Sequence, residues 1–188
     1  MTFEILILGS SSATPIYSRH PTAQVLNIHE RLFLVDCGEG TLMQMNRFHV
    51  KFHRINHIFI SHLHGDHYLG IVGLLSTLHL QGRTTDLHLY SPPELQEIIE
   101  IQLKYSETIL RYKLNFHPLD ATKSEVVYDD DNMRISTIVL YHRIPCTGFL
   151  FSEKQSCCFC RRLFLARLFS LRPYAKNKPR ILVIKDRT

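Results

Sequence analysis

Apolar residues along this chain fall into short runs of two kinds, and their interleaving is the first structural signal. Runs at 3–8, 23–28 and 31–36 are brief and rich in β-branched and aromatic residues, which predicts strands. A helix is expected near 38–48 (GEGTLMQMNRF), followed by a strand at 57–61 (HIFIS) and a helix near 67–80. Another strand covers 87–90. Ser91 is then expected to cap a helix whose first turn holds Pro92 and Pro93, with Leu95, Ile98 and Ile99 on one apolar face. Strand-like runs return at 113–117, 124–128, 132–141 and 147–152, with the turn residues DDDN between two of them. Strands interleaved with helices, then a meander, predict a layered α/β architecture.

Length changes this picture little, because 188 residues suit one domain or one domain with an appendage. No run of about eighteen apolar residues is present, so no membrane span is expected. The N-terminus starts directly on a strand-like run without a basic leader, so no signal peptide is read, and a soluble cytoplasmic protein is the default expectation.

Charge matters only once it is located. Residues 1–154 carry 13 Lys and Arg against 16 Asp and Glu, whereas residues 155–188 carry 9 against the single Asp186. The net charge of +5 therefore arises in the tail and gives no sign of nucleic-acid binding by the body. The chain divides on this basis into a body at 1–154 and a divergent basic tail at 155–188. Arg and Leu spacing in the tail is compatible with a short basic amphipathic helix. The alternative is an out-of-frame or misjoined terminus on a truncated product. Cys157, Cys158 and Cys160 crowd into CCFC without a second ligand pair at zinc-finger spacing, so they read as reduced thiols rather than a zinc knuckle.

The chemistry concentrates in HIFISHLHGDHYLG, residues 57–70. A hydrophobic strand feeds a turn that places His62, His64, Asp66 and His67 within six positions. Imidazole and carboxylate are the ligands zinc takes, at ~2.0–2.2 Å. Residues two apart on an extended turn point the same way, so His62 and His64 can grip one ion, while Asp66 and His67 can face a second. Gly65 is expected to supply backbone freedom in this crowded turn. His29, His49, His53, His79, His88 and His117 stand alone and read as surface or satisfied core histidines.

His62-Leu63-His64-Gly65-Asp66-His67 matches the signature of the metallo-β-lactamase superfamily. LILGSSSATP at the start, RHPTAQ at 19–24 and LVDCGEGTLMQM at 34–45 resemble the RNase Z family in sequence and order, over about residues 1–153. The resemblance implies an αββα sandwich, incomplete in its C-terminal half, and a zinc-dependent endoribonuclease that removes the 3′ trailer from precursor tRNA by metal-hydroxide attack on the phosphodiester. It implies that His62, His64 and a later His, matched by His142 in IVLYHRIPCTGFLF, bind one zinc. Asp66 and His67 would bind the second, with Asp66 also serving as general base. A homodimer is implied as well, with up to two zinc ions per subunit; manganese is an alternative in the carboxylate-containing position.

Asp36 resembles the family's buried acid that supports a ligating histidine, or is a strand-end carboxylate. Arg19 and His20 resemble a loop that touches the tRNA acceptor end, or are solvated. Glu39, Thr41 and Gln44 mark the family without an assigned catalytic role. The later family segments have no counterpart: after His142 the chain contains no histidine, and Asp186 only faintly echoes a bridging acid. The expectation is a truncated homologue with little activity alone. Two other readings stay open: a different hydrolase of the superfamily, acting on a lactone, thioester or sulfate ester, and a non-catalytic zinc-binding or tRNA-binding remnant.

Overall fold

The computed structural model describes residues 3–14, 19–154, 163–166 and 181–183, the last two segments as backbone only. Strands β1 (Phe3–Gly9), β2 (Ala23–Ile28) and β3 (Arg31–Cys37) pair in turn, each antiparallel to the next. From β3 onward the sheet turns parallel through β4 (Ile55–Phe59), β5 (Leu87–Ser91) and β6 (Leu114–Pro118). Parallel neighbours need crossovers. Here they contain α1 (Thr41–Arg47), then α2 (Gly65–Tyr68) with α3 (Ile71–Leu80), then α4 (Glu94–Tyr105). A second, antiparallel sheet holds β7 (Val126–Asp129), β8 (Met133–Leu140) and β9 (Cys146–Glu153). Two short strands in the tail, β10 (Leu163–Ala166) and β11 (Ile181–Val183), pair with β9 and β1 respectively.

Period-two alternation sorts each strand of the large sheet between two cores. Val25, Leu34, Ile58 and Leu89 face the helices, where they meet Met45, Leu74, Leu75, Leu95 and Ile99. Ile5, Leu26, Phe33 and Phe59 face the other way, against Met133, Ile135, Phe149 and Phe151 of the small sheet. Both faces of the large sheet are thus covered, which explains why its strands read as nearly continuous apolar runs. Among the described residues the layers are helix, sheet, sheet, three of the four in the expected sandwich.

Three local expectations need correction. Ser91 is the last residue of β5, and its hydroxyl donates to the Pro92 carbonyl rather than capping α4. Pro92 and Pro93 stand just before that helix, which begins at Glu94. The helix expected over 67–80 is two helices broken at Leu69–Gly70. Where the tail is described, at 163–166 and 181–183, it is strand instead of basic helix, because backbone pairing with β9 and β1 outweighs local Arg and Leu spacing. Cys157, Cys158, Cys160 and Asp186 lie outside the described residues.

Candidate metal centre

The metal-ligand candidates gather at the carboxyl ends of β3 and β4 and just beyond β8. The loop after β4 carries Ser61 to His64, β3 delivers Asp36, and His142 follows β8 by two residues. Two glycines allow the close packing behind this loop. A Cβ on Gly38 would lie 2.4 Å from the Asp66 carbonyl oxygen, and one on Gly70 would lie 2.3 Å from the Gly38 carbonyl oxygen. Neither position tolerates a side chain. Gly65, by contrast, is the first residue of α2, and positive φ among the described glycines occurs at Gly40 and Gly82. The expected need for special backbone freedom at Gly65 is therefore not met; its missing Cβ leaves room for Leu69.

His62, His64 and His142 converge on one point. Their ligand nitrogens all lie within 4.8 Å of one another. His64 Nδ1 is 3.0 Å from His62 Nε2 and 3.1 Å from His142 Nε2. Donors ~2.0–2.1 Å from a common ion sit about this far apart, so the three nitrogens fit one metal and leave an outer coordination position open. His62 is buried, His64 is partly covered and His142 is exposed, which makes the cluster accessible from one side.

Beside this triad lie Asp66 and His67, with the His67 Nε2 to Asp66 Oδ2 distance at 3.4 Å. Behind them sits Asp36, 2% exposed, whose Oδ2 accepts from His67 Nδ1 at 2.8 Å. Asp36 has φ 58°, in the left-handed region. The cause is a bulge: Ala23 pairs with Cys37 and Gln24 with Val35, so Asp36 has no partner on β2 and its side chain is re-aimed. Such a conformation costs of order 1–3 kcal/mol for a non-glycine residue and persists where the surroundings over-determine it.

Burial sets the electrostatics. Burial first, then the neighbouring imidazoles of His67, His142 and His64, push His62 down to about 3, so it stays neutral and able to ligate. His64 is lowered by burial and by His142 and Arg143. Burial alone would lower His67, but the hydrogen bond and charge of Asp36, with the charge of Asp66, outweigh it and raise its pKa.

Arg19 and His20 are half-buried on a loop that joins the site from the side of β1. Ser11 N–H donates to the His20 carbonyl at 2.9 Å, and His20 Nδ1 would lie 3.1 Å from a Cβ on Gly40, at the start of α1. His20 thus packs against the start of α1, and neither residue belongs to the three-histidine cluster. Gln44 proves to be an internal anchor, donating from Nε2 to the Leu8 carbonyl at 3.0 Å, and Thr41 Oγ1 donates to the Gly38 carbonyl at 2.6 Å. Three residues at the centre had no role from sequence. Ser61 Oγ touches Asp36 and His62, Cys146 Sγ is 3.7 Å from His62 Nδ1, and Arg143 Nη2 is 3.3 Å from His64 Nε2. Immediate adjacency to His62 and His142 was the only available signal for Ser61 and Arg143.

Residues 3–160 match a family model described as Anti-Pycsar protein Apyc1. The chain is 51% identical over 152 residues to a protein named Ribonuclease Z from Bacteroides fragilis, covering 81% of this chain and 50% of that protein. The chain thus spans about half the length of the curated relatives it matches. Among solved structures, human tRNase Z, short form, superimposes with a TM-score of 0.73 at 33% identity, covering 80% of this chain and 65% of that one. A metallo-beta-lactamase fold protein from Bacillus subtilis, YhfI, superimposes with a TM-score of 0.62 at 16% identity, a likeness of fold alone. With a match over most of its length, the chain belongs to the family described as Anti-Pycsar protein Apyc1; it has the metallo-β-lactamase fold, and its half-identical relatives are named Ribonuclease Z.

Proposed function

We propose that this chain performs, or contributes to, metal-dependent endonucleolytic cleavage of the ribonuclease Z type, removing the 3′ trailer from precursor tRNA. The observation that supports it most is the open three-histidine cluster, set on a fold shared with half-identical relatives named Ribonuclease Z. In this reading His62, His64 and His142 hold a zinc ion, and Asp66 and His67 supply two donors to a second position. Zinc, when bound, supplies Lewis acidity and brings the pKa of water toward neutrality.

The remaining work falls to side chains. Asp66 would take a proton from the attacking water as general base, and Asp36 holds His67 in place from behind. Arg19 and His20 line the approach of the substrate, and the guanidinium of Arg143 adds positive charge beside His64, suited to an anionic phosphodiester. A homodimer in the cytoplasm completes the proposal; among the described residues no helix is long and apolar enough to cross a membrane. The division into a body at 1–154 and a tail at 155–188 belongs to it as well.

The test is incubation of purified, zinc-loaded 1–188 protein with a precursor tRNA bearing a 3′ trailer. The expected outcome is slow, zinc-dependent release of a 5′-phosphorylated trailer that disappears in Asp66→Ala. Cleavage is expected to be slow because only two donors, Asp66 and His67, face the second position among the described residues. A second reading is favoured by the family model, whose description differs from the names of the relatives: a hydrolase of the same fold with another substrate. Zinc-dependent hydrolysis of simple esters without tRNA cleavage would select it. Zinc binding with neither activity would select a non-catalytic role.

A further inference from the structure

We infer that Ser61 is a positioning residue of the metal centre, and that through it the Asp36 carboxylate sets which nitrogen of His62 faces the ion. This deepens the metal-binding reading and rests on it. The argument begins with donors and acceptors. A carboxylate accepts only, so every group in contact with Asp36 must donate to it. Asp36 Oδ1 receives the Ser61 backbone N–H at 2.9 Å and the Ser61 hydroxyl at 2.9 Å, while Oδ2 receives His67 Nδ1–H at 2.8 Å.

The Ser61 hydroxyl has one proton to donate, and it donates it to Asp36. Its oxygen can then only accept from the next neighbour, His62 Nδ1, at 3.0 Å. His62 must therefore carry its proton on Nδ1. Its Nε2 is left as a bare lone pair, and this is the atom that sits 3.0 Å from His64 Nδ1 in the cluster. The Cys146 thiol, 3.7 Å from the same Nδ1, is both a weaker donor and a weaker acceptor than the Ser61 hydroxyl at 3.0 Å, so the hydroxyl decides. His67 is fixed the same way, directly, with Nε2 turned toward Asp66. One buried carboxylate thus orients two imidazoles, one by contact and one through a hydroxyl.

Burial gives the relay its strength. Ser61 is 3% exposed and Asp36 2%, so water does not replace either partner. The bulge that places Asp36 at positive φ is the backbone feature that brings its carboxylate under both histidines.

The experiment uses the full chain and reads two quantities: the protonated nitrogen of His62 in the metal-free protein, by nitrogen-15 NMR of the imidazoles, and zinc affinity, by competition with a chelator. Wild type is expected to show His62 protonated at Nδ1. Ser61→Ala is expected to lose that preference and to weaken zinc binding by roughly 10–100-fold, the range for loss of such outer partners. Ser61→Thr, which keeps the hydroxyl, is expected to restore both. His67 is expected to remain protonated at Nδ1 in all three, which separates the relay from general damage. A wild-type His62 protonated at Nε2, or a Ser61→Ala chain with His62 still protonated at Nδ1 and unchanged affinity, overturns the inference. A chain that takes up no zinc at all overturns the metal reading, while the His62 signal still decides the role of Ser61.

Discussion

Two histidine-rich regions of this molecule use the same side chain for opposite ends. In one, His62, His64 and His142 aim ring nitrogens at a common point from two separate loops. In the other, His57, His88 and His117 stand on neighbouring parallel strands, with His57 stacked on its register partner His88, His117 stacked on Tyr90, and His88 Nδ1 hydrogen-bonded to His117 Nε2 at 2.9 Å. Centroids are 4.9 Å apart for His57 and His88 and 5.2 Å apart for His88 and His117. Strand spacing of ~4.8 Å stacks the register pairs, His57 on His88 and Tyr90 on His117. It makes the three rings part of an aromatic wall with Phe33, Tyr90 and Tyr128, not a ligand set. Three ring nitrogens converge in the first region, whereas in the second only one pair meets, His88 with His117, and it is spent on a hydrogen bond. A short dense motif after a strand escapes the strand's spacing, whereas residues held in register cannot.

The largest effect is expected from removing a converging nitrogen. His64→Ala leaves two ligands and is expected to lower zinc affinity by more than ~100-fold, beyond the range for outer partners. His88→Ala is expected to leave it unchanged. Chelator competition on both variants checks the contrast, and equal losses would erase the distinction between the regions.

Next is Asp36→Asn, which keeps shape but replaces an acceptor-only group. Roughly 10–100-fold weaker zinc binding is expected, with a loss of stability of ~1–3 kcal/mol from imperfectly matched buried donors. Denaturant titration of the metal-free variant reads the second quantity.

The stacked wall should reveal itself by pH. Burial, helped by the charges of His88, His117 and Arg31, pushes His57 down to about 4 from 6.5. Unfolded chains take up a proton near pH 6.5 that folded chains refuse until about pH 4, so stability falls as pH drops through this window. Above pH 6.5 His57 contributes no pH dependence. The contribution is at most about 3 kcal/mol, and His57→Phe, which preserves the stack, is expected to flatten the acid limb. An unchanged limb by thermal melting between pH 7 and 4 would show that His57 is not the group responsible.

A smaller effect is expected at the rim. Arg143→Gln should leave zinc content unchanged and weaken binding of a short RNA by ~10-fold, measured by titration at fixed salt, because one charge-assisted contact contributes about 1–3 kcal/mol.

Much of the architecture was readable because alternation and burial agree. The runs at 3–8, 23–28 and 31–36 became β1, β2 and β3 almost residue for residue, since apolar positions of both parities face a core. The run at 113–117 became β6, and the meander after it was legible through one-sided alternation, with Met133, Ile135, Phe149 and Phe151 on the covered face. Ser91 was misread because a cap-like residue before two prolines is also a fitting strand end, and the ladder to β6 continues through the Ser91–Pro118 pair. The tail was misread where a local Arg and Leu spacing met strand partners, one nearby, as in Phe164 with Phe151, and one distant in sequence, as in Ile5 with Leu182.

The metal cluster was legible as a motif because His62, His64, Asp66 and His67 are nearly contiguous. His142 needed a family resemblance, since nothing local separates it from any strand-end histidine. Ser61 offered only its adjacency to His62: its role depends on a bulge that turns Asp36 to φ 58° beneath a loop 25 residues later.

The most direct test of the central claim, that His62, His64 and His142 form a metal centre, is zinc content per purified chain after dialysis, for wild type and His64→Ala side by side. At least about one zinc ion per wild-type chain, lost in His64→Ala, is the predicted result. No retained zinc, or zinc retained equally by both proteins, would contradict it.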